Sequence, residues 1–216
     1  KMKKINKCRV CNSKNIKKVI DLGNQYLTGS FPKSIKEKIT KGPLKLFLCK
    51  DCSLLQLSHS YDLNQMYGEN YGYRSGLNKS MISHLKKKSD KLKKYIDNKD
   101  IILDIGSNDG TLLNQYNKKN IKKVAIDPTI EKFKKFYKKN TILIKNFFSY
   151  RIFNRYVSKK AKLITSIAMF YDLESPIKFA NDIQKVLDEK GIWHFEQSYM
   201  PIMLKNNSYD TICHEH

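Results

Sequence analysis

The stretch Ile101-Ile-Leu-Asp-Ile-Gly-Ser-Asn-Asp-Gly-Thr111 constrains the fold more than any other part of this chain. Ile101–Ile105 is a short apolar run of strand length. Gly106 and Gly110 follow it and permit a sharp turn, and a helical pattern then runs over Thr111–Tyr116. The alternation continues. Val124–Ile126, Thr141–Ile144 and Leu163–Ile167 read as strands, and Ile130–Tyr137 as a helix with Phe133, Phe136 and Tyr137 inward. Ser175-Pro176 supplies an N-cap and a first-turn proline for a helix burying Phe179, Ile183, Val186 and Leu187. Gly191–Glu196 reads as a fifth strand. Strand–helix alternation predicts an α/β domain with a parallel sheet covered on both faces.

Upstream, residues 1–62 hold four of the five cysteines. Cys8-x-x-Cys11 and Cys49-x-x-Cys52 each bring two sulfurs to one tight turn. Together they offer four thiolates, the closed tetrahedral shell of a structural zinc site. Two disulfides, or unrelated buried thiols, are the competing readings. Residues 63–98 form a tyrosine-rich loop, Tyr67-Gly-Glu-Asn-Tyr71-Gly-Tyr73-Arg-Ser-Gly76, and a linking helix with Met81, Leu85, Leu92 and Ile96 on one stripe. Residues 99–216 are the α/β domain. Cys213 stands apart from the two pairs.

The formal charge of +22 suggests a nucleic-acid partner. Its distribution argues otherwise. Only Arg9, Arg74, Arg151 and Arg155 of the 42 basic residues are arginine, and the lysines spread over the solvent faces of helices. A basic surface also attracts phosphorylated small molecules. The N-terminal segment lacks a signal-peptide pattern, and no apolar run reaches membrane-spanning length. The expected setting is the cytoplasm, where thiols stay reduced.

Gly106-x-x-x-Gly110 is not the G-x-G-x-x-G of a dinucleotide pyrophosphate loop. A sulfonium cofactor needs no phosphate cradle. Asp127 ends the second strand, where a carboxylate can accept hydrogen bonds from ribose hydroxyls. Asn146 and Phe147 end the third strand and can frame an adenine. Asp104, Asn108 and Thr111 complete the candidate pocket for an adenosyl cofactor. A Rossmann-type turn without a ligand is the simpler alternative.

These residues, with Cys8-Arg-Val-Cys11, Cys49-Lys-Asp-Cys-Ser-Leu-Leu-Gln56, Tyr71-Gly-Tyr-Arg-Ser75 and the terminal His214-Glu215-His216, resemble the nucleotide-sugar C-methyltransferases. Those are class I S-adenosylmethionine-dependent enzymes with an N-terminal zinc module, and the resemblance runs through the whole chain. It implies a Rossmann-like sheet of five strands here, in the order 3-2-1-4-5, with strand five an exposed edge open to self-association. It implies S-adenosylmethionine and a structural Zn2+, and methyl transfer to carbon of a nucleotide-linked 4-keto deoxysugar. His216 would be the base. Glu215 and His214 would orient it or contact the sugar, and Tyr71 and Tyr73 would donate to the substrate oxygen. Arg74, Tyr171, Glu196 and Tyr199 are candidate substrate contacts. The family carries a further C-terminal domain, and this chain stops where that domain would begin. A cofactor-binding piece with little turnover and a displaced His-Glu-His is therefore expected.

Two positions depart from the family pattern. Cys213 stands where relatives tend to have tyrosine, and Ala168-Met-Phe-Tyr-Asp172 lacks a histidine, so either Tyr171 takes its place or the substrate differs. Another acceptor, such as a sugar hydroxyl, fits the same residues. A zinc-ribbon nucleic-acid-binding protein with a degenerate Rossmann domain is the alternative from another class.

Overall fold

The computed structural model describes residues 2–28, 32–68, 71–208 and 212–214. It divides into two compact units, and the division is not sequential. One unit gathers Lys1–Gly72, Phe170–Lys178 and Gln197–His216; the other gathers Tyr73–Met169 and Phe179–Glu196. The chain crosses between the units after Gly72 and returns twice to the unit that holds the cysteine pairs.

The zinc unit begins with β1 (Lys3–Lys4), β2 (Ile16–Tyr26), β3 (Lys41–Cys49), β4 (Leu55–Leu57), β5 (His59–Ser60) and helix α1 (Leu63–Tyr67). The order β2-β3-β4 makes an antiparallel sheet, and β1 pairs with β5. Strand β3 shows why: Gly42, Leu44 and Leu46 are buried at every second position. Leu44 and Leu46 meet Leu57, with Ile20, Leu55 and Ile212 packed against them. Leu27, Tyr61 and Met66 form a second small cluster. The side chain of Asp62 accepts from Asn64 N and starts α1.

In the second unit, α2 (Lys79–Leu92) begins on the Asn78 side chain, which accepts from Ser80 N. The strands are β6 (Ile101–Ile105), β7 (Lys122–Ile126), β8 (Thr141–Ile144), β9 (Ala161–Ile167) and β10 (Leu187–Glu196). Helices α3 (Ile130–Phe133), α4 (Tyr150–Tyr156) and α5 (Pro176–Val186) connect them. All pairings are parallel, and the order is β10-β9-β6-β7-β8. Counted from β6, that is the anticipated 3-2-1-4-5. On one face, Leu85, Leu92 and Ile96 pack with Ile102, Leu113, Ala125 and Leu163. Aromatic rings gather elsewhere in the unit, where Phe179 lies 5.2 Å from Phe148 and 6.0 Å from Trp193.

Three elements differ from the sequence reading. Thr111–Tyr116 makes only a 3-10 turn at Leu113–Gln115, and Ile130–Tyr137 splits into α3 and a 3-10 turn at Lys134–Phe136. Both stretches are a turn or two long, below the length at which a helix stabilises itself. Strand β10 starts at Leu187, with a register irregularity before Ile192. It pairs with β9 alone among the described residues, so it is an edge strand, as anticipated.

Candidate functional site

The two cysteine pairs fold as copies of one knuckle. In each, the first cysteine's N–H donates to the carbonyl five residues on (Cys8 to Ser13, Cys49 to Leu54, both 2.8 Å). In each, its carbonyl accepts from the residue after the second cysteine, Asn12 at 3.1 Å and Ser53 at 3.0 Å. Those two residues hold φ of 60° and 63°. Cys8 Sγ lies 3.5 Å from Cys52 Sγ, and Cys11 Sγ lies 3.6 Å from Cys49 Sγ. All four sulfurs fall within 4.8 Å of one another. Four ligands about 2.3 Å from a tetrahedral zinc stand roughly 3.8 Å apart, so the donor set fits zinc. Backbone N–H groups of Cys52 and Asp51 aim at the Cys49 sulfur and bring its thiol down to about 7. Arg9 ties the first knuckle to the sheet, its guanidinium donating to Leu57 O at 2.8 Å.

The second site lies at the carboxyl end of β6. Gly106 and Gly110 both hold left-handed backbone, φ 70° and 76°. The space their missing Cβ atoms leave is narrow. A Cβ on Gly110 would stand 2.6 Å from the Tyr137 ring, and one on Gly106 3.2 Å from Met169 Cγ. The space is used by the protein. Tyr137 then closes the loop from beneath: its hydroxyl donates to Asn108 O at 2.7 Å and lies 2.8 Å from Ser107 Oγ.

A strap over Tyr73–Gly76 is pinned to the same loop. Asn108 Oδ1 accepts from Ser75 N at 2.9 Å, and Asn108 Nδ2 donates to Tyr73 O at 3.1 Å. Asp109 Oδ2 accepts from Gly76 N at 2.9 Å and from Arg74 Nε at 3.0 Å. Asp109 Oδ1 accepts from the Thr111 hydroxyl at 2.6 Å. The Arg74 guanidinium also covers the Phe136 ring at 3.9 Å. A Cβ on Gly76 would meet Asp109 Oδ2 at 2.5 Å, so the strap can approach only with glycine there.

Two carboxylates face inward from the strand ends. Asp127 Oδ2 accepts from Asn108 N at 2.9 Å, and Oδ1 accepts from Thr129 N at 2.6 Å and from the Thr129 hydroxyl. With three of its roughly four acceptor positions filled, it has room for one ribose hydroxyl rather than two. Burial raises its pKa, and those donors oppose the rise. Asp104 is 3 % exposed and accepts from Thr165 Oγ1 at 2.6 Å. Burial pushes it up to about 7 against that bond, and the charge of Asp127 adds to the rise. Buried carboxylates without a basic partner among the described residues fit a ligand with hydroxyls and a positive charge. An adenosyl sulfonium cofactor has both.

Residues 8–67 match the family model described as a putative zinc binding domain. The chain is 25 % identical to the C-methyltransferase NovU of Streptomyces niveus over 218 aligned residues, 98 % of this chain and 52 % of that protein. The match to the zinc-binding model covers the two knuckles, and the similarity to a protein named as a C-methyltransferase runs through the rest of the chain. It spans about half the length of the curated relative it matches. Among solved structures it is similar to the plantazolicin methyltransferase BpumL in complex with a pentazolic desmethylPZN analog and SAH: 17 % identity, TM-score 0.47, 59 % of this chain and 50 % of that one. It is also similar to coclaurine N-methyltransferase bound to N-methylheliamine and SAH: 15 % identity, TM-score 0.40, 53 % and 34 %.

The predicted site residues separate in the structure. Asp104, Gly106, Asn108, Gly110, Thr111 and Asp127 share one loop and its floor, while Asn146 and Phe147 stand exposed past the end of β8. Tyr73, Arg74 and Glu196 lie in the cofactor unit; Tyr71, Tyr171, Tyr199 and His214 lie in the zinc unit. Arg74 Nε is engaged by Asp109 at 3.0 Å. His214 corrects the expectation of a displaced tail: it is fully buried, edge-on to Tyr61 at 4.8 Å, with Nε2 3.3 Å from Gly42 O. The reason is packing. The apolar Ile212 packs on the Leu44, Leu46 and Leu57 cluster, and the ring of His214 packs on Tyr61 of the second cluster. Glu215 and His216 lie outside the described residues.

Sequence reading missed one cluster altogether. The Glu196 carboxylate receives His84 Nε2 at 2.9 Å and Lys88 Nζ at 2.8 Å, both from α2. Burial pulls its pKa upward, but the hydrogen bonds from Lys88 and His84 leave it below the ordinary glutamate value. The i, i+4 spacing of His84 and Lys88 was the available signal. It also missed Tyr137 as the brace of the glycine loop.

Proposed function

We propose that this protein is an S-adenosylmethionine-dependent methyltransferase that methylates a carbon of a nucleotide-linked 4-keto deoxysugar, in the cytoplasm. The observation carrying the cofactor reading is the pinned Gly106–Gly110 loop with buried Asp104 and Asp127 that no basic residue matches among the described residues. Similarity along 98 % of the chain to a protein named as a C-methyltransferase supports a carbon acceptor. The sugar follows from the resemblance of the Tyr71-Gly-Tyr-Arg-Ser75 and His214-Glu215-His216 segments to the nucleotide-sugar enzymes.

Asp127 would hold the ribose, Asp104 the positive charge, and Asn146 with Phe147 the adenine edge. The bound cofactor supplies an electrophilic methyl group. The chain's own residues make the acceptor a nucleophile. A carbon beside a carbonyl is acidic enough for His216 to take its proton, and Glu215 would orient that imidazole. Tyr71 and Tyr73 would donate to the oxygen that gains charge as the proton leaves. Glu196, Tyr171 and Tyr199 are proposed acceptor contacts, Glu196 through the surface that His84 and Lys88 leave open. His214 is left out of the chemistry because it packs a core.

The test is a coupled measurement. Nucleoside-diphosphate 4-keto-6-deoxysugars are incubated with the protein and cofactor in D2O, and product mass and deuterium at the acceptor carbon are followed. Methylated product, with cofactor-independent exchange that His216→Ala abolishes, is expected. Methylation at oxygen, or methylation undiminished in His216→Ala, would overturn the carbon-acid reading.

A further inference from the structure

The glycine loop holds three carboxylates and one cation. Arg74 matches Asp109 at 3.0 Å. No salt bridge reaches Asp104 or Asp127 among the described residues. The two differ in support. Asp127 accepts three hydrogen bonds, two of them from backbone N–H groups. Asp104 accepts from Thr165 Oγ1, an uncharged donor. Among the described residues, the groups that act on Asp104 bring no positive charge. From β9 comes Thr165, and the end of β7 carries Asp127, whose charge works against ionisation of Asp104. Past the 3-10 turn Leu113–Gln115 comes Tyr116, and after Lys134–Phe136 comes Tyr137; burial raises the pKa of both phenols, and nearby carboxylates add to the rise. From α2, Asp90 acts on Tyr116 in the same sense. Lys123, the buried lysine of β7, donates to Tyr116 O instead. Of the two buried carboxylates, the one with so few donors is the one more easily protonated.

We propose that Asp104 carries a proton in the ligand-free protein and releases it when a cationic adenosyl ligand binds, so that the loop selects its ligand by positive charge. This rests on the loop being the cofactor site. The balance is simple. A neutral carboxyl and a ligand bearing an ammonium and a sulfonium become a carboxylate–cation pair, and one proton passes to the buffer. A neutral adenosyl ligand fills the same loop and leaves the proton in place.

Calorimetric titrations of the whole chain, in two buffers of different ionisation enthalpy, separate these outcomes. S-adenosylmethionine and adenosine are the probes, between about pH 5.5 and about pH 7, where the ligand's own ammonium stays charged. For S-adenosylmethionine, release approaching one proton is expected at the acid end. Its affinity should rise by up to about tenfold per pH unit and flatten as Asp104 ionises unaided. Adenosine binding should release no proton and keep a flat pH profile. Asp104→Asn should abolish proton release while adenosine still binds. A second reading needs no ligand: the free protein should show one protonated aspartate by carboxyl 13C shift at pH 6, absent in Asp104→Asn. Adenosine binding with no proton release for S-adenosylmethionine would overturn the proposal and leave the cofactor reading standing. Proton release that survives Asp104→Asn would place the proton elsewhere and overturn it too. Failure of both ligands to bind would remove the cofactor reading and the proposal together.

Discussion

Gly110→Ala tests whether the glycine loop is built around Tyr137 or around a ligand. The new Cβ would stand 2.6 Å from Tyr137 Cδ1 and 2.7 Å from Cε1, on a ring that is only 9 % exposed and cannot swing clear. The backbone, at φ 76°, adds left-handed strain of about 1–2 kcal/mol for an L-residue. Moving the ring breaks its hydrogen bonds to Asn108 O and Ser107 Oγ, at about 1 kcal/mol each. The total is about 3–4 kcal/mol, which for a chain of this size lowers the melting temperature by roughly 6–16 °C. Gly106→Ala meets only Met169 Cγ at 3.2 Å, the flexible part of a side chain, so it should cost little beyond its strain of about 1–2 kcal/mol. Urea unfolding of both variants, followed by the near-UV signal, measures the two costs. A double-mutant cycle isolates the clash: in a Tyr137→Ala background, Gly110→Ala should cost only the strain. Equal costs at the two glycines, or strict additivity with Tyr137→Ala, would refute the reasoning and return Gly110 to a ligand role.

Three further outcomes follow from the structure. Elemental analysis should find one zinc per chain, with X-ray absorption showing four sulfur neighbours at about 2.3 Å; any single Cys→Ser change at 8, 11, 49 or 52 should loosen the zinc unit before the cofactor unit, as hydrogen exchange would show. Asp127→Ala should weaken binding of the demethylated cofactor by roughly 1–3 kcal/mol, since Asn108 N and Thr129 N also lose their acceptor, and calorimetry with unchanged affinity would speak against the pocket. Glu196 sits below the ordinary glutamate pKa, so its ionised form favours the folded state above that ordinary value, and the contribution is lost as pH falls through the lower, folded value; Glu196→Gln should therefore flatten the acid limb of the stability profile, and a profile identical to the parent's would show the His84–Glu196–Lys88 cluster to be idle.

How far the sequence reached can be judged residue by residue. The five parallel strands were legible because each is a short apolar run bounded by polar turns, and their order followed from the family the motifs resemble. The zinc ligands were legible because C-x-x-C spacing fixes two sulfurs on one turn, whatever lies between the pairs. That the two knuckles repeat each other, down to the φ of Asn12 and Ser53, was not, because the likeness is in backbone hydrogen bonds and not in side chains. Short helices failed for the opposite reason. Thr111–Tyr116 and Ile130–Tyr137 have helical spacing, but so short a stretch adopts whatever its neighbours' packing leaves room for.

By itself the sequence determined which residues could carry chemistry: four thiols, two acids around two glycines, a tyrosine-rich loop and a His-Glu-His segment. Only the tertiary structure decided what each is set against. It gave the space beside Gly110 to a tyrosine ring and the Arg74 guanidinium to Asp109, and it closed His214 into a core. It joined Glu196 to a histidine and a lysine more than a hundred residues earlier in the chain. Spacing along a chain fixes local geometry within a turn or a strand, whereas the partner of a buried polar group is chosen by desolvation, which acts across the whole fold.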